Sequence, residues 1–484
     1  MAAPRAKLPL DVIVVGAGML FLFAKHYENM ISSNMHRHRW YGCGPDAGVA
    51  RASCGSLGSG AKGTSTALVV VNLANRLNSS WKWEPGFKSR QICFAFLTVR
   101  MHAAHLLSDS CSPKLPGWGV SDLIHAQDVA LEHIHVRRWQ DGSLLGTVPV
   151  NKTFGQQVVV HRADLHNALI AKALELDNVT LRENSIVTDV QFSPASVTLS
   201  SGTIIRGDVV IGADGIKSTV REHLLQDSSI KAIPTGDAAY RIILPRSIME
   251  KDPELKTLID EPQATRWVGP GRHIIAYPVR KHELYNVVLL HPDRQGVEES
   301  WTTKGSKQAM VDNYEGWDSK VRKLIDLVHD DEVLEWKLCL HRPLRTWIRG
   351  AVALLGDACH PMLPYVAQGA AQAVEDAAAL GVVLSSITSH KDIPRALQVY
   401  EKSRKQRAET VQQSGSENRI TLHLPDGPEQ RARDEQFRAS ASGTNPDKWS
   451  DRETQEFLWG WDAEKAALDA WKEMQEGVKV NANL

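Results

Sequence analysis

Three short stretches of this 484-residue chain carry residue types that could handle a nucleotide-like ligand. Residues 11–15, DVIVV, run into Gly16-Ala17-Gly18, where missing side chains let backbone approach a pyrophosphate at the start of a helix. Only part of the G-x-G-x-x-G pattern is present. The third glycine position holds Phe21, and no acidic residue lies about 20 positions on to accept from a ribose hydroxyl. An apolar strand closed by two glycines is also an ordinary tight turn, so this stretch alone leaves both readings open. Residues 209–221, VVIGADGIKSTVR, deliver Asp214-Gly215 to a turn ahead of a helix whose first turn holds Ser218. The glycine permits the turn, and the aspartate can accept from a ribose or backbone donor. An Asp-Gly turn before a helix is again common. Residues 354–376, LLGDACHPMLPYVAQGAAQAVED, are more specific. Asp357 at a strand end can face the hydroxyls of a sugar-like chain, two prolines fix a loop, and Gln368-Gly369-Ala370 opens a helix whose free N–H groups can hold an anion. His360 is a conceivable general base, but between Cys359 and Pro361 in such a loop it reads as structural.

The elements that must position these residues follow from hydrophobic period. Residues 11–15, 208–212 and 351–355 are continuous apolar runs, expected as parallel strands buried on both faces. Residues 187–210 alternate around a Ser-Gly turn, predicting an antiparallel meander that feeds the 208–212 strand. Residues 158–175 read as a strand entering an amphipathic helix, and 135–143 as a strand and turn. Residues 273–278 and 284–290 read as paired strands of a second sheet, joined by a turn at 280–283. A core helix is predicted over 369–384, and charged helix beyond residue 397 that breaks at 440–447 and ends in a Trp-rich piece with Trp459, Trp461 and Trp471.

Lysine plus arginine and aspartate plus glutamate both number 56, so the formal charge is zero. Nothing in that balance favours a nucleic acid or an acidic membrane as partner. No apolar run reaches the roughly 18 residues a membrane span needs, and solubility is expected. The basic start and short apolar run at 12–24 fit a buried strand better than a signal peptide. The six cysteines lack metal-ligand or disulfide spacing, so no metal and a reducing, cytoplasmic location are expected.

The motifs GADGIKSTVR, GDACHPMLPYVAQGAAQAVEDA and VVHRADLHNAL together resemble the single-component FAD-dependent aromatic-ring monooxygenases, the salicylate and para-hydroxybenzoate hydroxylase group, and in particular its fungal secondary-metabolism branch. HLPDGPEQRARD and FLWGWDAEKAALDAW extend the resemblance to the C-terminal part of the chain. It implies an α/β protein: a Rossmann-like FAD-binding domain, an α+β substrate domain with a mixed sheet, and a C-terminal helical segment. The implied division is 1–18 for the first strand and glycine turn, 19–113 for an anomalous segment, 114–230 for the FAD-binding domain continued, 231–345 for the substrate sheet, 346–400 for the third motif and its helix, and 401–484 for the helical region. It further implies that Arg162 contacts the flavin, Asp357 the ribitol chain, and Gly369 with Ala370 the ring edge. Asp214 and Gly215 would sit near the pyrophosphates of FAD and of a transient NADPH or NADH, Gly16 and Gly18 under the dinucleotide, and Arg241 would polarise or anchor a phenolic substrate. The implied reaction takes O2 and inserts one oxygen atom into an aromatic small molecule. Close variants are epoxidation of an isoprenoid chain, or a flavin-free remnant without turnover. Residues 19–113 depart from the family: clustered Ser, Cys, Trp and Gly without period, including Cys43, Cys54, Cys93 and Cys111, are what a translated intron or shifted reading frame looks like, the alternative being an insertion with rewired AMP binding.

Overall fold

The strand Asp11–Gly16 is buried from Val12 onward, as its unbroken β-branched run requires, and each such side chain contributes roughly 1.5–3 kcal/mol on burial. It pairs in parallel with Val209–Ala213, which pairs in parallel with Val352–Leu354. The computed structural model describes residues 10–16, 67–72, 105–107, 118–150, 152–176, 179–227, 230–293, 305–330, 333–439 and 445–482. Gly18, Phe21 and most of the anomalous 19–113 stretch lie outside these residues.

The three parallel strands form the centre of a six-stranded sheet and end at one edge, at Gly16, Ala213 and Leu354. Ligands of open α/β sheets bind outside such carboxyl ends. The apolar run beginning at Ala67 becomes the strand Ala67–Asn72, antiparallel to Asp11–Gly16 with Gly16 opposite Ala67. Its carboxyl end therefore lies at the far edge of the sheet.

The expected meander is present as Val187–Phe192, Ala195–Leu199 and Ile204–Arg206, all antiparallel. A second sheet has seven strands in the order Leu334–Leu340, Ile233–Pro245, Leu284–Pro292, Arg272–Val279, Gln263–Gly269, His133–Arg138 and Leu144–Pro149. It is mixed, because Gln263–Gly269 runs parallel to His133–Arg138. Two of its strands thus come from the stretch that precedes the second glycine motif. A small sheet places Val158–Val160 between Val129–Ala130 and His105–Leu107, and the helix Arg162–Leu174 follows from it.

The helix Gly369–Ser386 is buried along most of its length in the core of the first sheet. The 30-residue helix Ile393–Leu422 packs on it, and Ala463–Ala482 covers both. The alanine-rich sequence allows this close three-helix contact. Among the described residues, no helix is long and apolar enough to cross a membrane.

Candidate active site

At the carboxyl end of Val209–Ala213 the chain turns at Gly215, whose φ of +78° is a left-handed conformation that glycine adopts without strain. The Asp214 carboxylate folds back over this turn. Its Oδ1 accepts from Ser218 Oγ at 2.5 Å and its Oδ2 from Val220 N at 3.1 Å, while Ser218 caps the helix Thr219–Leu225 by accepting from Arg221 N. Each carboxylate oxygen thus serves its own helix start and keeps one lone-pair site for another donor. Burial pushes the Asp214 carboxyl above its ordinary range against the pull of those hydrogen bonds. Arg221, itself buried, donates to Ile216 O at 2.7 Å and to Ala358 O at 3.2 Å, tying the second motif to the third.

The third motif leaves the strand Val352–Leu354 through Gly356, at φ +61°, whose N–H donates to Asp376 Oδ2 at 3.0 Å. Asp357 sits half-buried in the short helical turn that follows. His360 Nε2 meets the same Asp376 oxygen at 2.6 Å, and Arg404 Nε donates to the other at 2.8 Å. Arg404 also donates to Glu375 Oε2 at 2.6 Å, and Arg407 bridges both oxygens of Glu375 at 2.8 and 3.0 Å. Burial would raise the Asp376 carboxyl, but His360 and Arg404 outweigh it and hold it below the ordinary range. His360 is therefore a strut of a buried ionic lattice, in line with its structural reading. Cys359, His360 and Asp376 place possible ligand atoms within 4.8 Å of one another. Their chemistry does not suit a cation: Asp376 already serves a guanidinium, a backbone N–H and His360, and burial keeps the Cys359 thiol well above its ordinary pKa.

Past the prolines, Tyr365 donates to Asp237 of the second sheet, and Arg419 grips the same carboxylate at 2.5 and 2.7 Å. Ala367, at φ +53°, then turns the chain into the helix that begins at Gly369. No side chain among the described residues caps this helix start. Gln368 beside it is fully buried, and neither its amide oxygen nor its nitrogen finds a hydrogen-bond partner among the described residues. Buried amides are nearly always paired, so this pair of atoms next to free helical N–H groups is a cradle for a polar ligand edge. It fits the pyrimidine side of a flavin, with Gly369 and Ala370 leaving the approach open and Asp357 nearby for a polyol chain. On this observation the residues present fit the flavin end of FAD. Gly16 lies at the same sheet edge, whereas Gly18 is outside the described residues.

Arg162 is the first residue of its helix, behind the cap His161, whose Nδ1 accepts from Ala163 N at 3.3 Å. Burial, then the charge of Arg280, lowers the His161 pKa to about 4, so the ring stays neutral and can accept. The helix is pinned to the second sheet by Asp164, which takes a two-pronged ion pair from Arg280 at 2.7 Å on each oxygen. Arg280, Lys281 and His282 all have positive φ, and this turn is held by Asp164, by Asp128 (3.0 Å to Lys281 Nζ) and by Ile259 O (2.6 Å to His282 Nδ1). Arg241, on the strand Ile233–Pro245, lies with its guanidinium 4.7 Å from the centre of the Trp336 ring, and its Nε has no hydrogen-bond partner among the described residues. Burial lowers its pKa to about 9, with Arg162 adding repulsion and Tyr277 opposing. The two arginines therefore share one electrostatic neighbourhood, beside a Tyr277 that burial keeps neutral, where an anion would be welcomed.

Sequence reasoning named Gln368 as part of the helix opening but did not single out Asp376, Arg404, Arg407 or the Asp164–Arg280 pair. These depend on partners 16 to 116 positions away.

The chain matches the FAD binding domain family over residues 115–414. It is 42% identical over 346 residues to the FAD-dependent monooxygenase atnJ of Arthrinium sp., covering 71% of this chain and 81% of that one. It is 32% identical to a 3-hydroxybenzoate 6-hydroxylase of Polaromonas naphthalenivorans, covering 71% and 82%. Its fold is similar to that of a salicylate hydroxylase solved with its substrate, at a TM-score of 0.65 and 23% identity, covering 80% of this chain and 96% of that one.

Proposed function

This chain belongs to the FAD-binding family of FAD-dependent monooxygenases, and from that premise we propose that it hydroxylates a phenolic small molecule, with NADPH or NADH as reductant and O2 as oxidant, in the cytoplasmic biosynthesis of a secondary metabolite. The observation that carries the phenolic reading is Arg241, a half-buried cation over the Trp336 ring whose Nε has no hydrogen-bond partner among the described residues. A prenyl chain would offer that charge no anion. A phenolate meets it.

Bound FAD supplies electron transfer and oxygen activation. The protein's own part is positional and electrostatic. The buried amide of Gln368 and the N–H groups at the start of the Gly369 helix would hold the polar edge of the ring. Arg162 would sit against the flavin, with the Asp164–Arg280 clamp fixing its helix. Arg241 would draw the substrate's proton equilibrium toward phenolate, which makes the ring a better nucleophile, and Asp214 and Gly215 would serve the pyrophosphate side. The apolar cluster that contains Tyr277 and Val366 would exclude water from the reacting pair.

The test is the visible spectrum of the purified protein with and without added FAD, followed by NADPH and NADH oxidation with a panel of hydroxybenzoates and prenylated aromatics. Bound-flavin bands with phenol-stimulated oxidation support the proposal. Stimulation by prenyl compounds alone would favour epoxidation. Failure to take up FAD at saturation would leave a flavin-free remnant, the reading favoured by Phe21 and by the antiparallel second strand.

A further inference from the structure

Residues 445–459 follow the stretch matched by the family and are built into the molecule at two buried hubs. The first is Asp447, whose carboxylate takes an ion pair from Arg266 of the second sheet, Asn418 Nδ2 at 2.9 Å, Trp449 N at 3.1 Å and Ser450 Oγ at 3.3 Å. The second is Arg407. While paired with Glu375 of the Gly369 helix, it donates to Phe457 O at 2.7 Å and Leu458 O at 2.9 Å. Gln455 Nε2 donates to Trp449 O at 3.1 Å and joins the two hubs.

This scaffold fixes Trp449 and Trp459, which are 1% and 3% exposed. Both belong to the apolar cluster of Tyr277 and Val366, against which Met362 and Ala367 of the third-motif loop pack. Tyr277 of this cluster and Arg241 stand on the two strands that flank Leu284–Pro292, opposite Asn286 and Val288 respectively. Both indole Nε1–H groups are buried without a hydrogen-bond partner among the described residues. Tryptophan normally pairs its N–H when buried, and two unpaired donors in one cluster beside the candidate site point to a ligand atom.

We propose that Trp449 and Trp459 are specificity-determining residues, whose indole N–H groups receive a carbonyl or ether oxygen of the substrate. The inference rests on the aromatic-hydroxylase reading. It makes the substrate a two-poled molecule, with a phenolate oxygen toward Arg241, a second oxygen acceptor toward the indoles and apolar surface between them. Two indole donors select an uncharged acceptor, because the guanidiniums at that end, Arg266 over the Trp449 ring and Arg407, are already paired with Asp447 and Glu375.

The test uses the FAD-loaded full chain and two probes of the same outline, 4-(4-hydroxyphenyl)butan-2-one and 4-butylphenol, of which only the first carries the extra oxygen and in which two methylene groups insulate the phenol from it, so that both ionise alike. Their dissociation constants are read from the change in bound-flavin absorbance in the wild type, Trp449→Phe and Trp459→Phe. The wild type should prefer the ketone about tenfold, as one net hydrogen bond gives, and that preference should shrink about fivefold or more in at least one variant. Because the readout is a ratio within each protein, general loosening of the site cancels. No preference in the wild type, or an unchanged preference in both variants, overturns the inference while leaving the hydroxylase reading standing. A flavin-loaded protein whose spectrum responds to no phenol refutes the hydroxylase reading and this inference with it.

Discussion

Replacing Arg404 with methionine removes the centre of the buried lattice behind the third motif. Arg404 is fully buried and donates to Asp376 Oδ1 (2.8 Å), Glu375 Oε2 (2.6 Å), Gln372 Oε1 (2.8 Å) and Gln372 O (3.2 Å), with its guanidinium 5.0 Å from the centre of the Trp461 ring. Methionine fills similar volume but supplies no donor. Glu375 keeps Arg407, whereas Asp376 is left with Gly356 N and His360. Stripping one partner from a buried ion pair costs about 3–5 kcal/mol. At about 2.1 cal/mol/K per residue, the unfolding entropy of a 484-residue chain is about 1 kcal/mol/K, so the melting temperature should fall by about 3–5 °C. The discriminating variant is the double replacement Arg404→Met with Asp376→Asn. It removes one charge of each sign and leaves Glu375 and Arg407 matched, so it should be no less stable than Arg404→Met alone. Urea unfolding of the three variants, with flavin content measured in each, gives the cycle. A cost below about 1 kcal/mol for Arg404→Met, or a double variant whose loss equals the sum of the singles, would refute the assignment of Asp376 as the charge that Arg404 neutralises.

Three further outcomes follow from the geometry. Arg241→Gln should lower kcat/KM for phenols by about 30- to 1,000-fold, the equivalent of about 2–4 kcal/mol for a buried charge-assisted contact, with flavin content retained; steady-state NADPH oxidation measures it. His161 has a folded pKa of about 4 against an ordinary 6.5, so the unfolded chain binds its proton first as pH falls. Its contribution to stability is therefore complete above about pH 6.5 and lost progressively down to about pH 4; His161→Asn, which keeps a cap acceptor without titrating, should remove up to about 3 kcal/mol of the pH dependence of the unfolding free energy measured in urea between those pH values. A Cβ on Gly212 would lie 2.6 Å from Val220 Cβ and 3.0 Å from Leu354 Cδ2, so Gly212→Ala should cost about 1–3 kcal/mol in thermal unfolding by forcing the helix off the sheet; a neutral result would show that the second-motif helix can shift freely.

The features read correctly from sequence are those with local signals. The meander at 187–206 and the helix start at Ser218 carry their turn or cap residues within a few positions, and the hairpin at 273–290 is marked by the apolar runs on either side of its turn. What stayed hidden depends on distant partners. Residues beyond 397 read as charged helix, yet Arg404 and Arg407 on that helix are buried, because Glu375 and Asp376 meet them from a helix that reads as apolar. Turn residues Arg280, Lys281 and His282 contain no glycine, and their left-handed backbone is stabilised by Asp164, Asp128 and Ile259 O from other elements. The assignment of His133–Arg138 and Leu144–Pro149 to the second sheet rests on a parallel pairing with a strand 130 positions later, for which the sequence has no marker.

The sheet topology separates two halves of the dinucleotide cradle. In a doubly wound sheet the phosphates lie over the first glycine turn, and an acidic residue at the carboxyl end of the next strand holds the adenosine ribose. Here the strand beside Asp11–Gly16 runs antiparallel, so its own carboxyl end, at Asn72, lies at the opposite edge of the sheet from Gly16. The flavin end does not depend on that strand. Its position follows from Arg221, which fastens the second motif to the third, and from the Asp376–Arg404 lattice, which fastens the third motif to the long helix. Both connections run through the parallel strands Val209–Ala213 and Val352–Leu354 on the other side of Asp11–Gly16. The 19–113 stretch still touches this half at one place, because His105–Leu107 pairs with Val158–Val160, the strand that feeds the Arg162 helix. The positions of Gln368 and Arg241 rest on strands and helices outside that stretch, so a change in it should reach Arg162 before it reaches Gln368 or Arg241.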